Sequence, residues 1–274
     1  MGAASTEATG SGYAEGLARA CGGALIFGFP LLMTMEMWAL GFRMDRWRLA
    51  LFLALSLPLI FGLAYYAGFR RAKGRLNDLM DALAALTIGF GISLVMLSLL
   101  GLIDWADPPE ITVSMVALQA IPAAMGAVLA RKQFAGAGGD DGEDDHSAQY
   151  GGELFLMAAG ALFLAFNVAP TEEMVLIAYK MTAFHTVALI IISLMLLHLL
   201  VYRLGFAGQE AHEGHMGAFL EFTLPGFVIA LLVSLYVLWT FGRLEGLALH
   251  EVVSTMIVLG LPASLGAALA RLVV

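Results

Sequence analysis

Two acidic side chains stand inside apolar stretches, Glu36 in GFPLLMTMEMWALGF and Glu173 in FNVAPTEEMVLIAY. Placing an ionisable group in hydrocarbon costs several kcal/mol unless it is paired or hydrated. Each glutamate is therefore a candidate for holding a cation or a proton, and Glu172 beside Glu173 adds a second carboxylate. Each also follows an aromatic residue by seven positions (Phe29, Phe166) and precedes a base by seven (Arg43, Lys180). On an unbroken helix seven residues is nearly two turns, so aromatic, acid and base would share one face. Thr34 and Thr171 lie two residues before the glutamates. That spacing puts hydroxyl and carboxylate about 200° apart on a helix, so they share an ion only where the helix unwinds.

The same stretches carry the means to unwind. Pro30, Asn167 and Pro170 stand mid-stretch, and a proline frees a carbonyl one turn earlier while lacking an N–H of its own. Irregular backbone at membrane depth is tolerated where it lines a cavity or an ion site. A second reading stands beside this one. Pro170-Thr171-Glu172-Glu173 is also an ordinary helix start, and the glutamates can serve as polar pairing between helices.

His198, with Tyr202 one turn later, suggests a proton relay, or a hydrogen-bonded packing histidine. No second histidine stands at matching depth for haem. Cys21 is the single cysteine, and no nucleophile-and-base set or HExxH motif occurs. Neither an enzyme nor a bound cofactor is expected.

The elements that must position these residues follow from composition. Of 274 residues 60% are hydrophobic and 13% charged, with mean hydropathy +0.86, against about a quarter charged in a soluble domain. Eight stretches, at about 20–42, 49–68, 79–103, 111–130, 154–179, 186–204, 217–241 and 250–272, reach the roughly 20 apolar residues of a membrane span. The fold class is an all-α polytopic membrane protein whose partner is the lipid bilayer. The net charge of −8 leaves no basic stripe for nucleic acid. Lys and Arg number 9 on the side of the termini and 5 on the other. The positive-inside rule then puts both termini in the cytoplasm, in a cell inner membrane. Residues 1–12 read as a disordered tail and 133–152, rich in Gly and acid, as a solvated linker.

A shift of 137 residues, half the chain, lays Ala24–Met44 over Ala161–Met181 with seven identities in 21 positions. With a three-residue insertion PAAMGAVLAR (122–131) then overlies PASLGAALAR (262–271) at seven of ten. Residues 13–132 and 153–274 thus read as two four-helix repeats. Four spans per copy make them parallel, related by an axis along the membrane normal. A homodimer would bring four repeat units around one pore.

With GFPLLMTMEMW, NVAPTEEM and the two PA-xx-GA-xLAR ends, nearly the whole chain resembles a functionally uncharacterised family of bacterial integral membrane proteins. The resemblance implies bacterial origin and eight spans, and supplies no activity. From the residues, the expected function is transport of a proton or of a monovalent or divalent cation, as a proton-coupled exchanger or a channel. The alternative is a non-transporting scaffold or sensor subunit in which the glutamates are structural.

Overall fold

The computed structural model describes residues 3–66, 75–135, 150–204, 217 and 219–273; side chains are not described at 3–13, 75, 131–135, 202–204 and 271–273. Ten α-helices and one π-turn make up the described residues, with no strand among them. They are α1 (Ala3–Leu32), α2 (Met35–Arg43), α3 (Arg46–Tyr66), α4 (Arg75–Leu99), α5 (Pro109–Ala135), α6 (Tyr150–Val168), α7 (Glu173–Lys180), α8 (Ala183–Leu204), α9 (Leu224–Thr240, entered through a π-turn at Phe219–Thr223) and α10 (Leu249–Val273). Eight of these elements are long and apolar enough to cross a membrane. The two short helices, α2 and α7, carry the conspicuous glutamates.

The expected spans 20–42 and 154–179 are each broken in two, at Met33–Thr34 and at Ala169–Glu172. The backbone is helical from Ala3, where an unstructured tail over 1–12 was expected. Adding turns to an existing helix avoids the cost of nucleation, and Ala-rich AASTEA gains from that. Of the expected linker 133–152, residues 136–149 lie outside the described residues, while α5 reaches Ala135 and α6 starts at Tyr150.

The chain divides into two compact units. The first comprises Met1–Phe42 with Leu53–Gly142, the second Arg43–Phe52 with Glu143–Val274. These differ from the sequence halves in one place, the segment Arg43–Phe52. Its side chains explain the difference. Arg48 pairs with Glu245 at 2.6 Å and lies 5.2 Å over the Trp239 ring, and Phe52 packs against Phe166 and Phe241 with ring centroids 5.5 and 6.3 Å apart.

In the first unit α1 and α4 pack on α5, whose residues 115–130 are all buried. The α1–α5 crossing is tight because both helices present glycine. A methyl group on Gly23 would overlap the Gly126 carbonyl, and one on Gly126 the Gly23 carbonyl. Small facing residues let helix backbones approach in a membrane, where dispersion contacts drive packing. Within the second unit α6, α8 and α9 pack on α10. There Gly160 and Gly266 meet in the same reciprocal way, with Ala270 against Gly160. The sequence alignment pairs these same positions, 23 with 160 and 126 with 266.

Candidate functional site: two broken helices

In the first unit α1 ends at Leu32, two residues after Pro30. The Met33 N–H donates to Phe29 O (3.1 Å), the Thr34 N–H to Leu31 O (3.1 Å), and the Thr34 hydroxyl to Pro30 O (3.0 Å). α2 then starts, its Met37 N–H donating to Thr34 O (3.0 Å). Glu36 falls in the first turn of α2, where the positive end of the helix dipole favours a carboxylate. Its sequence neighbours gave no sign of a helix start, which the break supplies. The side chain is half-buried, and among the described residues it has no hydrogen-bond or ion-pair partner, while Met37 beside it is fully buried.

The depth of this break follows from helix contacts. Gly28, before it, faces Ala123 of α5 at 3.3 Å from an added Cβ, and Gly41, after it, lies against Met115. The break is therefore level with the stretch of α5 between those two residues, whose midpoint is Gln119. Ten residues separate Gln119 from Pro109, on the order of 15 Å of helix, half the ~30 Å hydrocarbon layer.

The second unit builds its break from other groups. Asn167 donates to Phe163 O (2.8 Å) and the Thr171 hydroxyl to Val168 O (2.9 Å). α7 begins with Glu172 at its N-cap, without a side-chain cap bond, and with Glu173 in its first turn. Arg243 donates from its guanidinium to Pro170 O and lies 3.8 Å from Glu172. A cation on the carbonyl end of α6 complements that end of the dipole.

A single turn type delivers this arginine. α9 ends in a turn with Gly242 at φ +71° and the Arg243 N–H donating to Leu238 O (2.9 Å). α4 ends alike, with Gly101 at φ +69° and the Leu102 N–H donating to Leu97 O (2.9 Å). Left-handed φ at the residue after the helix C-cap is the glycine-specific stop. The residue that follows it is Leu102 in one unit and Arg243 in the other. Leu102 packs on an apolar cluster of Leu32, Leu97, Ile103, Met115 and Val116, and Leu32 is the last residue of α1.

Several sequence expectations change here. The breaks part each glutamate from its preceding aromatic, so Phe29, Glu36 and Arg43 do not share one helix face. Phe166 is buried against Phe241, centroids 6.1 Å apart, whereas Glu173 and Lys180 are exposed. Thr34 and Thr171 spend their hydroxyl protons on backbone carbonyls of the preceding helix. His198 Nδ1 stands 2.9 Å from Thr223 Oγ1 in the π-turn, with the Phe219 ring edge-on at 5.5 Å; the Tyr202 side chain lies outside the described residues. Glu36 belongs to the first unit, and Glu172 and Glu173 to the second. A cavity of about 630 Å³ in the second unit is lined by Ala183, Thr186, Val187, Leu249, His250, Val253 and Ser254, none of them an expected site residue. Among the described residues no three His, Cys, Asp or Glu cluster as metal ligands.

Sequence reasoning passed over three polar residues. Arg243 stands just past an apolar stretch, where a charge reads as solvated. Glu153 is 2% exposed on α6, between Tyr150, whose ring meets Phe222 at 5.7 Å, and Met157, which lies against Gly226 of α9. Gln119 is 1% exposed, and neither its amide oxygen nor its amide nitrogen has a hydrogen-bond partner. An amide in the middle of an apolar span was signal enough to find it.

A family model described as "Putative integral membrane protein (DUF2391)" matches residues 16–274. The chain belongs to this family. It is an integral membrane protein with several transmembrane helices, as the resemblance in its motifs implied. No curated protein and no solved structure matches it.

Proposed function

We propose that this protein moves a small cation or protons across the membrane, as a channel or a proton-coupled exchanger, with the helix breaks as the places of passage. One observation carries the reading: the first span of each unit is interrupted, and each interruption is followed by a short helix with a glutamate in its first turn. Unpaired backbone in lipid costs several kcal/mol per group, so such breaks belong beside water or ions. Glu36 supports the reading further, being half-buried with no counter-ion among the described residues. On the positive-inside rule both termini face the cytoplasm of a bacterial cell, and the breaks lie along the path across its inner membrane.

The scaffold reading has an observation of its own. In the second unit the guanidinium of Arg243 already occupies the carbonyl end of α6, so that break is closed by the chain itself. Purified protein in proteoliposomes decides between the two, with a panel of cation gradients and a pH gradient imposed in turn. Transport predicts flux at least tenfold above protein-free vesicles for one of them. Background flux for all of them, from folded protein, leaves the scaffold.

A further inference from the structure

Gln119 has the least explained surroundings in the first unit. It is four residues from Met115 and four from Ala123, so all three project from one face of α5. Met115 touches α2 at Gly41 and Ala123 touches α1 at Gly28. The Gln119 side chain is therefore aimed at the break between α1 and α2. A primary amide offers two donors and a carbonyl acceptor, and leaving it unpaired in the interior costs about 1–3 kcal/mol. Continuing the register of 122–131 over 262–271 back by three residues pairs Gln119 with Leu259, 0% exposed, so this place in the bundle has room for an apolar side chain.

The groups gathered at the break all present oxygen to an occupant. They are the Gln119 carbonyl and the carbonyl end of α1 with its negative partial charge. Glu36, in the first turn after the break, supplies the only formal charge from the residues flanking it. We propose that the break in the first unit binds a small monovalent cation, with Gln119 Oε1 among its ligands. Carbonyl and carboxylate oxygen suit hard cations. One carboxylate neutralises one positive charge, whereas divalent sites recruit several. A glutamine does not titrate, so it holds an ion and passes no proton. The second unit presents Leu259 and Arg243 at the corresponding places, and its resident guanidinium stands where the first unit would hold a free ion. This inference deepens the transport reading and names its substrate class.

The test uses full-length protein in detergent, with thermal unfolding followed in NaCl and in KCl against choline chloride at equal ionic strength. A ligand that binds the folded state raises the midpoint in a saturable way. Wild type should show a rise of several degrees with Na⁺ or K⁺. Gln119→Leu should lose that rise while unfolding in choline no earlier than wild type. Gln119→Met, closer in shape to glutamine, repeats the comparison if the leucine variant does not fold.

A rise retained in the folded variant overturns the proposal. Absence of any rise in wild type overturns it in favour of a bound water, and a rise with Mg²⁺ or Ca²⁺ alone overturns the monovalent class. Flux in proteoliposomes separates the two readings. Saturable, Gln119-dependent stabilisation without flux keeps the ion site and removes transport; flux unchanged by Gln119→Leu keeps transport and removes the site.

Discussion

Two breaks in two helices meet the same physical problem with opposite chemistry. In the second unit the carbonyl end of α6 is met by Arg243, while in the first the residue after the same left-handed glycine is Leu102, packed in the cluster that includes Leu32. The second break is internally neutralised and the first is not. Gln119 and Glu36, both without partners among the described residues, stand on the open side of that comparison; Leu259, and the exposed Glu173, stand on the closed side. The difference teaches that two units with similarly placed breaks need not surround them with the same chemistry.

The largest effect is expected where the units are alike. Gly126→Val and Gly266→Val each push a branched side chain into the facing helix backbone, and each should cost about 3 kcal/mol or more of stability. Unfolding in denaturant would show losses of similar size; a large loss in one unit alone would break the likeness. Arg243→Leu comes next. It copies the first unit's residue type and strips a charged hydrogen bond from Pro170 O, at a cost of about 2–3 kcal/mol. The Glu172 contact, 3.8 Å long with the carboxylate 68% exposed, adds under about 1 kcal/mol because solvent screens it.

The reverse change, Leu102→Arg, sets a resident guanidinium beside the first break and should abolish the cation-dependent rise in unfolding midpoint. Leu259→Gln places an amide in a fully buried apolar position and should cost about 2 kcal/mol, read by the same unfolding assay. If it costs nothing, the second unit holds a hydrated space like the first. Thr34→Ala and Thr171→Ala should each cost about 1 kcal/mol, since both hydroxyls donate to a carbonyl at a helix end. Unequal costs would show that one threonine does more than tie the break.

Legibility in the sequence followed the range of the interactions. Span number came from runs of apolar residues, and the breaks came from Pro30 and Pro170, whose missing N–H groups are local facts. The aromatic–acid–base face was misread because a seven-residue spacing means one face only while the helix continues. Contacts between distant residues were out of reach. Arg243 meets Pro170 across 73 positions, and Gln119 faces the first break only because α5 runs antiparallel to α1 with Ala123 at Gly28. The grouping of Arg43–Phe52 with the second unit depended on Arg48 finding Glu245. Glu153 escaped notice because it stood at the border of an acidic linker, where a carboxylate looks solvated, while the helix folds it inward.

Flux through proteoliposomes carrying Glu36→Gln and Glu173→Gln, measured side by side with wild type, tests the account most directly. The half-buried, unpartnered Glu36 should be the indispensable acid, so Glu36→Gln should lower cation flux at least tenfold, and Glu173→Gln, exposed beside a break closed by Arg243, less than threefold. Wild-type flux from Glu36→Gln protein, or an equal loss from both variants, would contradict it.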